Sequence, residues 1–258
     1  MEKTLYLSEN EKLRIKRDGP SLWVEQPNCA GQRVPARLVC RAVVLGNVTL
    51  DTASLTLLAQ RGVPITLLDR NGEPLAMVLG VHDGTRQRRT RQAALSENPD
   101  KQQRMLAWLD AWERGRQLRL VREIAPIQAQ RWRRTGFRPA DYEEWLLAQA
   151  RARECNLCER AFLKGALQEL AAAEITTQGW DPHVGVRERG KTLGLVKDCC
   201  SALQADVDRI WVRLRNTSAR PGRLPVRTLA TRFESGRTRL EARLRLMLEQ
   251  YARILWEI

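Results

Sequence analysis

Three groups of side chains have types and spacings that could do chemistry. Cys155 and Cys158 form a CxxC pair, and Cys199 with Cys200 could complete a four-sulfur zinc site. The pair falls in a helical pattern and adjacent cysteines chelate one ion awkwardly, so the thiols read instead as small buried side chains. Arginines form the second group, in "TRQRRTRQ" (85–92), "RWRRTGFR" (131–138), "HVGVRERGK" (183–191) and "WVRLRNTSARPGRLPVR" (211–227). Guanidinium groups make planar, bidentate contacts to phosphate and stack on bases. The candidates are Arg86, Arg88, Arg89, Arg91, Arg131, Arg133, Arg134, Arg187, Arg189, Lys191, Arg213, Arg215, Arg220, Arg223 and Arg227. Trp132, between two arginines, could stack on a single-stranded base, although a packed aromatic is the preferred reading. The third group is the stretch "GWDPHVGVRERGKTLGLVKD" (179–198), which has a turn, a basic loop and an apolar run returning to a core. It looks like the frame of a metal site with the ligands missing.

The charge supports a polyanionic partner. The 258 residues carry 44 Lys and Arg against 30 Asp and Glu, a net of +14. Residues 1–80 hold ten basic and eight acidic side chains, which leaves +12 for the remainder. A field concentrated in one part points to nucleic acid. No apolar run approaches the roughly twenty residues that span a bilayer, and the N-terminus lacks the core of a signal peptide, so a cytoplasmic protein without a membrane partner is expected.

The elements that must position these groups change type along the chain. "TLYLS", "KLRIKR" and "SLWVEQ" alternate at strand period between turns, and "CRAVVLG" suits a buried strand. "DTASLTLLAQRG" reads as one helix capped at Asp51 or Thr52 and stopped at Gly62, and "VPITLLDRNGEPLAMVLG" as two strands joined across Asn71-Gly72. Helical patterns follow over residues 86–115, 141–173, 193–215 and 228–256, the last with a stripe of Phe233, Leu240, Leu244, Met247, Leu248, Tyr251 and Leu255. The expected fold is α+β: a small β-rich N-terminal domain (1–80), a linker (81–86) and a larger basic all-α domain (87–258).

The segment "VVLGNVTLDTASLTLLAQRGVPITLLDRNG" resembles the N-terminal domain of the CRISPR-associated adaptation integrase/endonuclease ("Cas-one") family. "RQAA" (91–94), Asn156 and "GWDPHVG" (179–185) resemble family landmarks in the right order. The resemblance is strong over residues 1–80, patchy over 81–215 and not traceable beyond. It implies a homodimer formed through the β-rich domain, a small "Cas-two" partner, DNA as substrate, and strand transfer that requires magnesium or manganese.

Carried over residue by residue, the resemblance implies a degenerate metal site. The family histidine falls on Glu188, and His183 takes a family aromatic position. The family acids of the following helix fall on Val196 and Cys199, and the first-helix glutamate on Gln128, or on Ala125 in a shifted register, with Pro126 interrupting that helix. Glu123, Glu188 and Asp198 are carboxylates that could rescue the site. Asp198 should point away from it, about 200° round the helix from Val196. For Glu188 and Asp198 the plainer reading is surface acids partnered by Arg187, Arg189 or Lys197. Two readings follow: a catalytically inactive DNA-binding scaffold or regulatory paralogue in spacer acquisition, paired with an active paralogue or the small partner and needing no cofactor; or a divergent metal-dependent integrase or endonuclease. A repurposed DNA-binding fold outside CRISPR is a third.

Overall fold

The structure, a computed structural model, describes residues 3–9, 13–26, 29–80, 86–95, 97–150, 154–187, 192–217, 222 and 224–256. Eight strands and one helix come first: β1 (Lys3–Ser8), β2 (Arg14–Asp18), β3 (Ser21–Glu25), β4 (Gln32–Pro35), β5 (Val39–Leu45), β6 (Thr49–Leu50), α1 (Thr52–Gln60), β7 (Ile65–Leu68) and β8 (Pro74–Val78). Seven helices follow: α2 (Arg86–Leu95), α3 (Pro99–Ile124), α4 (Pro126–Thr135), α5 (Pro139–Gln149), α6 (Glu154–Thr177), α7 (Gly194–Thr217) and α8 (Val226–Trp256). A strand-rich N-terminal part thus precedes a helical C-terminal part, the α+β arrangement expected. Among the described residues, no helix is long and apolar enough to cross a membrane.

The strands form two sheets, ordered β1-β5-β7-β8 and β4-β3-β2-β6. In the first, β1, β5 and β7 are parallel and β8 returns antiparallel through the Asn71-Gly72 turn. Asp51 caps α1 as anticipated, its side chain accepting from the Ser54 amide at 2.7 Å. Strands β4 and β6 were not foreseen: one is a polar edge strand ending in proline, and the other is two residues paired only to β2.

Pleating splits the first sheet between two cores. Leu5, Leu7, Ala42, Val44, Ile65 and Leu67 face the second sheet and α1, while Tyr6, Val43, Leu45, Leu68 and Met77 face the helices. Arg41 lies on the helical side of the same alternation. Its guanidinium, 4% exposed, meets Glu169 of α6 and Glu234 of α8, each at 3.0 Å, and Tyr6 donates to Glu234 at 2.8 Å. Close approach of backbones fixes a second contact. A Cβ on Gly72 (φ +92) would lie 2.5 Å from the Phe162 backbone of α6, and one on Gly165 would lie 2.7 Å from the Gly72 carbonyl oxygen.

The helical patterns divide more finely than the sequence suggests. The expected 86–115 helix is two, because Asn98 caps a new start by accepting from the Lys101 amide at 3.0 Å, with Pro99 in the first turn. That helix, α3, then continues through Gly115 to Ile124. Pro126, lacking an amide hydrogen, ends it and opens α4. The expected 141–173 helix is α5 and α6. The predicted stripe on α8, from Phe233 to Leu255, is buried throughout.

The buried acid beside Arg41 makes stability depend on pH. Burial pushes the Glu169 carboxyl up to about 8; Arg41 and Arg237 oppose this, and Glu234 and Glu241 add to it. A carboxyl with a raised folded value gives stability that is full below about 4.5 and is lost as pH rises through about 8. Urea denaturation across this range should show wild-type stability falling, and Glu169→Gln should flatten the fall.

Candidate functional site

The stretch 179–198 is held by two buried polar side chains. Gly179 (φ +77) closes α6, and the chain turns at Asp181-Pro182. Gln92 of α2, fully buried, reaches the turn from the "RQAA" segment. Its Nε2 donates to the carbonyls of Asp181 (2.8 Å) and Val184 (2.9 Å), and its Oε1 accepts from the Asp181 amide at 2.9 Å. Beyond the turn, Oδ2 of Asp198 accepts from the amides of Val186 (2.6 Å) and Arg187 (3.4 Å). Gly185 lies against Gly194 at the start of α7, where a Cβ would come within 2.4 Å of backbone. His183 Nδ1 accepts from the Leu193 amide at 3.1 Å, which occupies that nitrogen within the loop.

Asp198 is therefore not a surface acid, contrary to expectation. It is 1% exposed and is engaged by the loop backbone. The helical offset explains the surprise: a residue two positions from Val196 leaves one buried face of α7 and enters another, because α7 is enclosed on most sides.

The positions to which the resemblance assigns metal ligands have dissimilar surroundings. Val196 is fully buried and aliphatic. Cys199 is 1% exposed, and burial, with Cys200 and Asp198 adding to it, holds its thiol well above the ordinary value, so it stays protonated. Gln128 lines a groove of about 500 Å³ between α4 and α5 with Arg131, Trp132 and Asp141. Glu123, at the end of α3, is taken up by Arg209 (3.1 Å) and Arg213 of α7. Hard divalent ions need anionic oxygens, and an amide, an aliphatic group and a protonated thiol do not fit one. Among the described residues no three His, Cys, Asp or Glu side chains gather as ligands would. Glu188 lies outside the described residues, as do Arg189, Lys191, Arg220 and Arg223 and the side chains of Arg86, Cys155 and Asn156. Of the four cysteines in question, Cys200 is also buried and its thiol is pushed up by burial.

The arginine candidates separate into exposed and engaged. Arg89, Arg131, Arg133, Arg134 and Arg227 are exposed and make no ion pair among the described residues. Arg213 is exposed beside Glu123. Arg187 is held by Asp110 and by Glu113 (2.6 Å), and Arg215, its side chain 6% exposed, by Glu159 (3.3 Å) and the Gly222 carbonyl (3.0 Å). Both support the loop and helix ends rather than an open surface. Arg88 donates to the Gln178 carbonyl and lies over Trp180, and Arg91 lies 4.7 Å from the Trp256 ring centroid. Trp132 is packed, stacked on Phe137 at 4.8 Å with Trp145 at its edge, so its face is not available to a base. The sequence reading missed the work of Gln92; a glutamine that is buried inside an otherwise polar helix carries no periodicity signal.

Residues 5–121 match the sequence model of the family described as CRISPR associated protein Cas1. Among solved structures, the chain is similar to a Cas1 protein from Thermotoga maritima, with 16% identity, 99% of this chain and 97% of that chain covered, and a TM-score of 0.80. It is also similar to a casposase bound to integration product (16% identity, 90% and 82% covered, TM-score 0.66) and to the TtCas1 chain of a DNA complex (16%, 99% and 91%, TM-score 0.61). No curated protein matches.

Asp198→Ala should leave the Val186 amide without an acceptor in the core and cost about 1–3 kcal/mol, read by urea denaturation. Gln92→Ala, which removes three bonds to the same loop, should be at least as destabilising.

Proposed function

We propose that this chain, a member of the CRISPR-associated Cas1 family, is a catalytically inactive DNA-binding protein that scaffolds or regulates spacer acquisition. The observation that carries the reading is Val196: the position matching a family metal ligand is a fully buried aliphatic side chain inside an otherwise complete Cas1 fold. The loop that would present the histidine is kept in shape by Gln92 and Asp198, so the frame outlasts the ligands. No step through a metal ion is derived, because the donor set does not fit one.

DNA contact would fall to the exposed arginines, above all Arg131, Arg133 and Arg134 of α4, with Arg89, Arg213 and Arg227. Guanidinium groups on a helix surface suit backbone phosphates, which give affinity without sequence selectivity. The structures of a Cas1–DNA complex and of a casposase with its integration product support DNA as the partner. Homodimerisation through the strand-rich part, assembly with an active paralogue or with Cas2, and a cytoplasmic site of action complete the reading and follow from the family.

Purified protein given branched and hairpin DNA with manganese should retard the DNA without turnover, as should Glu188→Ala. Metal-dependent cleavage or strand transfer that is abolished by that substitution would instead establish the divergent integrase. Replacing Arg131, Arg133 and Arg134 with glutamine should lower the slope of log affinity against log salt by about 0.9 per lost phosphate contact.

A further inference from the structure

Three arginines in the core are each met by two acidic side chains. Arg41 meets Glu169 and Glu234, Arg160 meets Asp208 and Glu143, and Arg187 meets Asp110 and Glu113, two carboxyl groups to each guanidinium. On the face shared by α3, α7 and α8 the ratio is inverted. Arg116 and Glu123 are two turns apart on α3; Asp206, Arg209 and Arg213 follow one stripe of α7. Arg239 and Arg243 continue a stripe of α8 that starts at Gly236, where the helix approaches Ile210.

Asp206, 5% exposed, accepts from Arg116 Nε at 3.0 Å and also from Arg243, while Glu123 takes Arg209 at 3.1 Å and Arg213. Arg239 is exposed and makes no ion pair among the described residues. Four guanidinium groups thus share two carboxylates, and Arg239 adds a fifth charge beside Arg209 and Arg243. Arg209 is only 8% exposed, and its Nε–H has no hydrogen-bond partner among the described residues. The excess is felt by the groups themselves. Burial pushes the Arg243 guanidinium down to about 10, with Arg116, Arg239 and Arg209 adding to the fall and Asp206 opposing it; Arg209 is lowered too, by burial first. By contrast, the Arg160 and Arg187 guanidinium groups are raised, their carboxylates outweighing burial.

We propose that Arg209, Arg239 and Arg243 form a binding site for a phosphate group on the α3–α7–α8 face, with Arg116 and Asp206 fixing its floor. A phosphate presents several acceptor oxygens and up to two negative charges, which match clustered guanidinium forks and offset their repulsion. Arg209 and Arg243, held by Glu123 and Asp206, are oriented before the ligand arrives, and exposed Arg239 closes on it. The phosphate is either that of a small molecule or a phosphodiester of DNA. The site uses none of the α4 arginines and stands even if those bind no DNA.

Inorganic phosphate is titrated into the full chain at constant ionic strength maintained with chloride, by calorimetry and thermal unfolding, in wild type, Arg239→Gln, Arg243→Gln and Arg61→Gln. The last removes an equal charge from the strand-rich part. Wild type and Arg61→Gln should bind phosphate and melt higher with it than with chloride. Arg239→Gln, on an exposed side chain, should bind about tenfold more weakly, the loss expected for one charge-assisted contact. Displacement of phosphate by a short duplex identifies the DNA backbone as the source; failure to displace it identifies a free phosphate or phosphate-bearing small molecule. Equal effects of phosphate and chloride on wild type, or equal phosphate affinity in wild type and both cluster variants, would overturn the proposal.

Discussion

Arg41 is the constraint around which the two halves of the molecule are arranged. A guanidinium in the middle of a buried strand is tolerated only where acidic side chains reach it, and these come from α6 and α8, far along the chain. Removing one partner of such a buried pair typically costs about 3–5 kcal/mol, because the other charge is left uncompensated. The pair also fixes direction. Ridge packing alone would let α6 and α8 slide along the sheet, whereas two 3.0 Å contacts to one guanidinium admit a single register. The approach of Gly72 to Gly165 sets the middle of α6, about one turn before Glu169, against the hairpin turn. Between them, charge and the absence of side chains place the helix that leads directly into the 179–198 loop.

That loop draws its shape from residues other than those at which the resemblance places metal ligands. Its shape comes from Gln92, Asp198 and the Gly185–Gly194 contact, all of which satisfy or approach backbone. None of these depends on what stands at Glu188, Val196 or Cys199. The backbone geometry and the donor set are therefore separable, and filling the interior with a valine and a protonated thiol is compatible with the same turn.

Local signals were legible where one residue suffices. Asp51 announced the start of α1, Asn71-Gly72 the hairpin, and the spacing from Phe233 to Leu255 the buried face of α8. Signals that need a partner were not. Asp198 reads as a surface acid until the Val186 amide is placed beside it, and Arg215 and Arg187 read as free cations until Glu159, Asp110 and Glu113 arrive from other helices. Strands β4 and β6 escaped because edge position and a two-residue length leave no alternation to detect. Asn98-Pro99 and Pro126 were breaks of the helical run that also served as starts, a distinction that depends on which side of the proline the chain is followed.

Both faces of β1, β5 and β7 are covered, since alternate residues of these strands belong to opposite cores. Cutting the chain after the last strand would consequently strip one side of that layer and present Val43, Leu45 and Leu68 to water. The N-terminal part is thus no detachable module to be grafted onto an unrelated protein; a chimaera would have to carry α6 and α8 along with it.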